Sequence, residues 1–186
     1  MRSLSCFRLK PFFVNADIDE FTVSLKVINK GLRIHYKVHG NAFEVAVCSK
    51  KSLPQFTDEL WKKTVFELFL KREDESSYTE WNFSPSGNWA CYDFDAYRKP
   101  SHSQNNLESK PRKMEFLKTA DSIDFIVEID LPKKYQDNEI LEFQACSVIK
   151  KLSDGSLSYF AIKHPSQKAD FHNAQEFSLL HLIESH

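Results

Sequence analysis

Along most of the chain apolar residues return at every second position. TVSLKVI at 22–28, GLRIHYKV at 31–38 and AFEVAVC at 42–48 alternate apolar with polar, the pattern of half-buried strands rather than helices. Asn29, Lys30 and Gly31 predict a hairpin turn between the first two, and Gly40 with Asn41 predicts the next. The rhythm resumes in TVFELFLK (64–71), YTEWNFS (78–84), NWACYDFDAY (88–97), KMEFLKT (113–119), IDFIVEIDL (123–131), LEFQACSVIK (141–150), LSYFAIK (157–163) and FSLLHLI (177–183). Many short strands separated by turns predict an all-β fold, a single antiparallel β-sandwich of jelly-roll type with at most a short helical turn. Sixteen phenylalanines beside four glycines fit strand faces.

Three stretches leave this rhythm. SKKSLPQFTDEL (49–60) is polar, with room for one helical turn ahead of Trp61. KPSHSQNNLESKPR (99–112) has two prolines and no periodicity, which predicts a long exposed loop, and HPSQKADFHNAQE (164–176) predicts a loop leading into the last strand.

A length of 186 residues suits one domain spanning 1–186. A formal net charge of −1 gives no broad field to draw in phosphate backbones or anionic lipid, so nucleic acid and membrane surfaces are not expected partners. Arg8 and Lys10 interrupt the apolar residues near the start, and no segment approaches the roughly 18 apolar residues of a spanning helix. The expected location is therefore cytoplasmic. Cys6, Cys48, Cys91 and Cys146 include no CxxC pair, and the last three read as small buried residues inside strands.

Strand parity sorts the candidate chemistry. In 64–71, Val65, Glu67 and Phe69 share one face, which puts a carboxylate between two apolar neighbours, where it needs a partner or water. In 78–84, Tyr78, Glu80 and Asn82 share a polar face while Thr79, Trp81 and Phe83 share the other, core-like one. Ser84 to Gly87 read as hairpin geometry, Pro85 fixing the first corner and Gly87 free to take positive φ. His35 and His39 would sit about 13 Å apart along a strand, too far to share a zinc ion. His164 and His172 read as exposed loop residues. Carboxylate pairs among Glu67, Glu80, Asp93 and Asp95 are common on neighbouring strands, so they do not establish an enzyme.

LWKKTVFELFL, YTEWNFSPSGNWACYDFDAYR and LSYFAIKHPSQKADFHNAQEFSLLHL together resemble the DOMON-like group related to family 9 carbohydrate-binding modules, over roughly residues 20–183. The resemblance implies a β-sandwich that binds a saccharide or similar hydroxylated ligand without catalysis or cofactor. In that family a sugar lies between two aromatic rings, with carboxylate, amide and guanidinium groups on its hydroxyls. Trp61 and Glu67 match the first aromatic and the carboxylate, in order and in their separation of six. Phe160 stands where the family has a second tryptophan, and the family's arginine is replaced near Asn82; Glu80 joins from the same polar face. The expected ligand-binding set is Trp61, Glu67, Glu80, Asn82 and Phe160. Two alternatives accompany it: haem held between Met114 and His164, since other DOMON relatives are cytochromes, and a protein-interaction module using the loop at 99–112.

Overall fold

Alternating segments of this kind bury one face each, and two sheets stacked face to face satisfy them all. The computed structural model describes residues 4–47, 53–165 and 167–182. Its strands are β1 (Leu4–Arg8), β2 (Lys10–Pro11), β3 (Ile18–Ile28), β4 (Gly31–Gly40), β5 (Val65–Lys71), β6 (Tyr78–Phe83), β7 (Trp89–Ala96), β8 (Lys99–Asn105), β9 (Lys113–Lys118), β10 (Ser122–Asp130), β11 (Ile140–Lys150), β12 (Leu157–Ala161) and β13 (Ser178–His181). One sheet runs β1–β3–β4–β10–β9 and the other β2–β12–β11–β5–β6–β7–β8, with β13 pairing on β11. The pairs between these strands are antiparallel, so the chain is an antiparallel β-sandwich.

The main core fills the space between the sheets. Phe66 packs against Tyr36 and Phe125 from the opposite sheet, at 5.2 and 4.9 Å between ring centroids. Phe83, Trp81, Leu68 and Phe143 are buried in the same layer. The Tyr36 hydroxyl crosses the layer to donate to the Glu67 carbonyl at 2.7 Å, and the Tyr135 hydroxyl donates to the Leu70 carbonyl at 2.9 Å. Two faces of the sandwich are not alike, however. The outer face of the eight-stranded sheet carries a second apolar layer, Val65, Phe69, Tyr78, Tyr92, Phe94 and Phe177 among them. As a result every residue of β5 and β6 is buried.

Several segments differ from the sequence pattern. Residues 42–44 form a 3₁₀ turn instead of starting a strand, and beyond it Val45 makes only an isolated bridge to Lys151. The reason is that β4 is already flanked by β3 and β10 and has no free edge. Cys48 and residues 49–52 lie outside the described residues; past them the helical turn expected ahead of Trp61 falls on Trp61 itself, as a 3₁₀ turn at Leu60–Lys62. A four-residue α1 (Lys133–Gln136) follows β10. The stretch 99–112 is not a loop: β8 pairs with β7 at the sheet edge, where Pro100 is tolerated, and a 3₁₀ turn at Leu107–Ser109 follows, capped by the Asn106 side chain. Among the described residues no helix is long and apolar enough to cross a membrane.

Candidate functional site

On β5 and β6 the outward-facing residues are Val65, Glu67, Phe69, Lys71, Tyr78, Glu80 and Asn82. The β5–β6 register places Glu67 opposite Asn82 and Phe69 opposite Glu80. Glu67 also lies opposite Cys146 on β11, whose thiol donates to the Glu67 carboxyl at 3.6 Å. Asn82 donates its amide to Glu80 at 2.6 Å. Burial and the neighbouring Glu80 charge push the Glu67 carboxyl well above the usual carboxylate range. Burial also raises Glu80, to about 7, against the opposing effects of the Asn82 hydrogen bond and the Arg98 charge. Two carboxyl groups that resist ionisation thus form the floor.

A hydrogen-bond chain built from distant parts of the sequence closes over Glu80. The Arg98 amide donates to the Tyr78 hydroxyl at 3.0 Å, and Tyr78 in turn lies 2.7 Å from Nδ1 of His172. Nε2 of the same ring lies 3.6 Å from Glu80, so the imidazole links Tyr78 to the carboxyl floor. Burial and the Arg98 charge lower the His172 pKa to about 4, so the ring is neutral at pH 7. Arg98 occupies the two-residue turn joining β7 to β8 with φ of 51°, a left-handed conformation that costs about 1 kcal/mol or more for a side chain with a Cβ. Asp170 anchors it there, accepting from the Arg98 guanidinium at 2.8 Å and from the Tyr97 hydroxyl at 2.6 Å. Burial would raise the Asp170 carboxyl, but these two hydrogen bonds outweigh it and hold the group below its usual value.

Above this floor is a cleft of about 530 Å³. Trp61, carried on the 3₁₀ turn before β5, is 41% exposed and meets Tyr92 edge-on at 6.0 Å. Tyr92 is fixed by its own hydrogen bond to Asp58 at 2.9 Å. Tyr159 on β12 and Phe171 in the following loop, 6.1 Å apart, line it as well. Tyr92 belongs to β7 and Tyr159 to β12, with β6, β5 and β11 between them, so aromatic rings flank the carboxyl floor from both sides. The Arg98 guanidinium and Lys62 also line it.

Of the residues expected from sequence, Trp61, Glu67 and Glu80 line the cleft. Asn82 is fully buried beside Glu80 and orients it instead of facing the opening. Phe160 points the other way: it is 1% exposed in the core between the sheets, 5.3 Å from Phe21. Its neighbour Tyr159 supplies the ring, because alternation along β12 sends 157, 159 and 161 outward. A cation outside the expected set, Arg98, also lines the cleft, contributed by a turn and not by a strand. His172 is not an exposed loop residue but a half-buried member of the site. Met114 packs on the core from β9 in one sheet, while His164 bonds the Lys10 carbonyl beside the other sheet at 2.8 Å.

No protein-family sequence model and no curated protein sequence matches the chain. Solved structures do. A Bacteroides uniformis protein provisionally classed as carbohydrate-binding superposes with a TM-score of 0.62 at 11% identity, over 97% of this chain and 86% of its own. A family 9 carbohydrate-binding module from Caldicellulosiruptor kristjanssonii, in complex with cellotriose, gives 0.61 at 11% identity over 96% and 82%. A structure of such a module from the same organism in complex with glucose gives 0.55 at 12% over 89% and 78%. The fold is that of the family 9 carbohydrate-binding modules. At these identities the likeness concerns the fold of the backbone, and the chemistry of the cleft has to be read from its own residues.

Proposed function

We propose that the chain is a non-catalytic module that binds a saccharide, or a ligand with the same pattern of hydroxyls, over Glu67 and Glu80. One observation carries this reading: a cleft of about 530 Å³ with carboxyl groups on its floor and aromatic rings on both flanks. A pyranose presents an apolar C–H face, which suits a ring plane, and hydroxyls at its rim, which suit carboxyl and guanidinium groups. The volume lies within the range of small-ligand pockets, roughly 300–1,000 Å³. Trp61 provides the exposed indole, Tyr159 and Phe171 the facing aromatic wall, and Arg98 the cation. The likeness in fold to modules solved with glucose and cellotriose supports the ligand class.

Burial raises the Glu67 and Glu80 carboxyls together, which favours their neutral forms. A neutral carboxyl both donates to and accepts from a hydroxyl.

A glycan array followed by calorimetry on the best binder tests the reading. Trp61→Ala is expected to weaken binding by about tenfold or more, while the fold is kept because the side chain is exposed. An unchanged affinity would remove Trp61, and with it the proposed cleft, from the site.

A further inference from the structure

Two carboxyl groups meet on the cleft floor without a cation of their own. Glu67 and Glu80 are 3% and 5% exposed, and neither has a lysine or arginine ion-pair partner among the described residues. The cations that line the cleft are engaged elsewhere: the Arg98 guanidinium holds Asp170 at 2.8 Å, and Lys62 holds Glu59 at 2.6 Å. The titratable groups packed around the pair bring no positive charge either. They are the Cys146 thiol from β11, the Tyr78 and Tyr92 phenols from β6 and β7, and His172, which burial keeps neutral at pH 7. On Glu67 the thiol reaches Oε2, while Oε1 has no partner among the described residues, although the side chain is almost wholly buried and lines the cleft. A buried acceptor left open at a ligand cleft calls for a donor from the ligand.

Resting on the saccharide reading above, we propose that the ligand is an amino sugar, with its protonated amine set over Glu67 and Glu80. An ammonium group carries three N–H donors and brings the charge that the floor lacks. The Trp61 and Tyr92 rings on the flank favour a cation as well. Glu80, raised to about 7, is half ionised at pH 7, so a carboxylate is available to the amine at little cost. Binding draws the pair further toward the ionised form, and the displaced protons pass to the solvent. A sugar with hydroxyls alone gains no ion pair. An N-acetyl sugar has nitrogen in the same place but no charge and a single donor, so the floor discriminates against it.

Calorimetric titration with glucosamine, glucose and N-acetylglucosamine tests this, using wild type, Glu67→Gln, Glu80→Gln and Trp61→Ala. At pH 7 wild type is expected to bind glucosamine about tenfold or more tighter than either neutral sugar. At pH 6 the heat of glucosamine binding, compared between two buffers of different ionisation enthalpy, should report proton release that glucose does not share. That measurement needs no variant to fold. In the two Gln variants the ratio of glucosamine to glucose affinity should fall toward one. Equal wild-type affinity for glucosamine and glucose, both weakened by Trp61→Ala, overturns the amine while the cleft stands. The amine is overturned in the same way if a glycan array returns only neutral sugars, or if both Gln variants keep the wild-type ratio. If no saccharide binds, or Trp61→Ala changes none of them, the cleft reading fails and the amine proposal with it.

Discussion

Asn82 donates its side-chain amide to Glu80 at 2.6 Å from two positions along the same strand, on the floor of the cleft. The bond holds the Glu80 carboxyl in one orientation on that floor. Asn82→Leu removes the donor and keeps the volume. It should cost about 1–3 kcal/mol, more at pH 8, where Glu80 is ionised, than at pH 5, where it is neutral. Urea unfolding at the two pH values measures the difference; an equal loss at both would mean that Asn82 acts on packing alone.

Burial also makes folding stability depend on pH through groups of opposite sign, the raised Glu67 and Glu80 carboxyls against the lowered His172 imidazole. Glu80 rises from 4.5 to about 7 on folding, so its contribution is complete below pH 4.5 and is lost as pH climbs through 7. His172 falls from 6.5 to about 4, so its contribution is present above 6.5 and is lost as pH drops toward 4. Between these limits the two oppose each other, and above pH 6.5 the carboxyl acts without the imidazole. Stability should therefore fall from pH 6.5 to 8, by about 1 kcal/mol from Glu80, with the raised Glu67 carboxyl acting in the same direction. Glu80→Gln should remove Glu80's share of that slope and leave the share that burial imposes on Glu67. A slope that survives the substitution unchanged would place its origin elsewhere.

Asp170 ties the loop before β13 to the strained turn at Arg98. Asp170→Ala leaves the Tyr97 hydroxyl and the Arg98 guanidinium without their acceptor. A loss of about 1–2 kcal/mol is expected, since both donors are half exposed and water can replace the acceptor, together with faster amide exchange across 167–177. Protection of the five-stranded sheet should stay as in wild type; uniform loss across both sheets would show that the contact supports the whole sandwich and not this loop.

Much of the sandwich was legible in the chain because alternation survives wherever one face meets solvent. In β3, β4 and β10 it is plain. The polar face of β6 was also readable, and it led to Glu80 and Asn82. Parity on β12 was not, since the eight-stranded sheet buries apolar residues on both faces and LSYFAIK does not say whether Phe160 or Tyr159 turns inward. β8 was hidden for the opposite reason, as an edge strand that needs few apolar residues. Arg98 and His172 were beyond reach for a third: their roles depend on contacts spanning 72 residues to Asp170 and 94 residues between Tyr78 and His172. Local pattern carries no trace of such docking.

The three tryptophans allow the central claim to be read directly. Trp81 and Trp89 are buried between the sheets, at 0% and 3% exposure, while Trp61 stands at the cleft. In a two-dimensional ¹⁵N–¹H spectrum each indole gives its own signal, assigned by substitution. Titration with the best-bound saccharide should shift the Trp61 indole signal progressively and leave those of Trp81 and Trp89 where they were. A saccharide that binds without moving the Trp61 signal would contradict the cleft as the binding site.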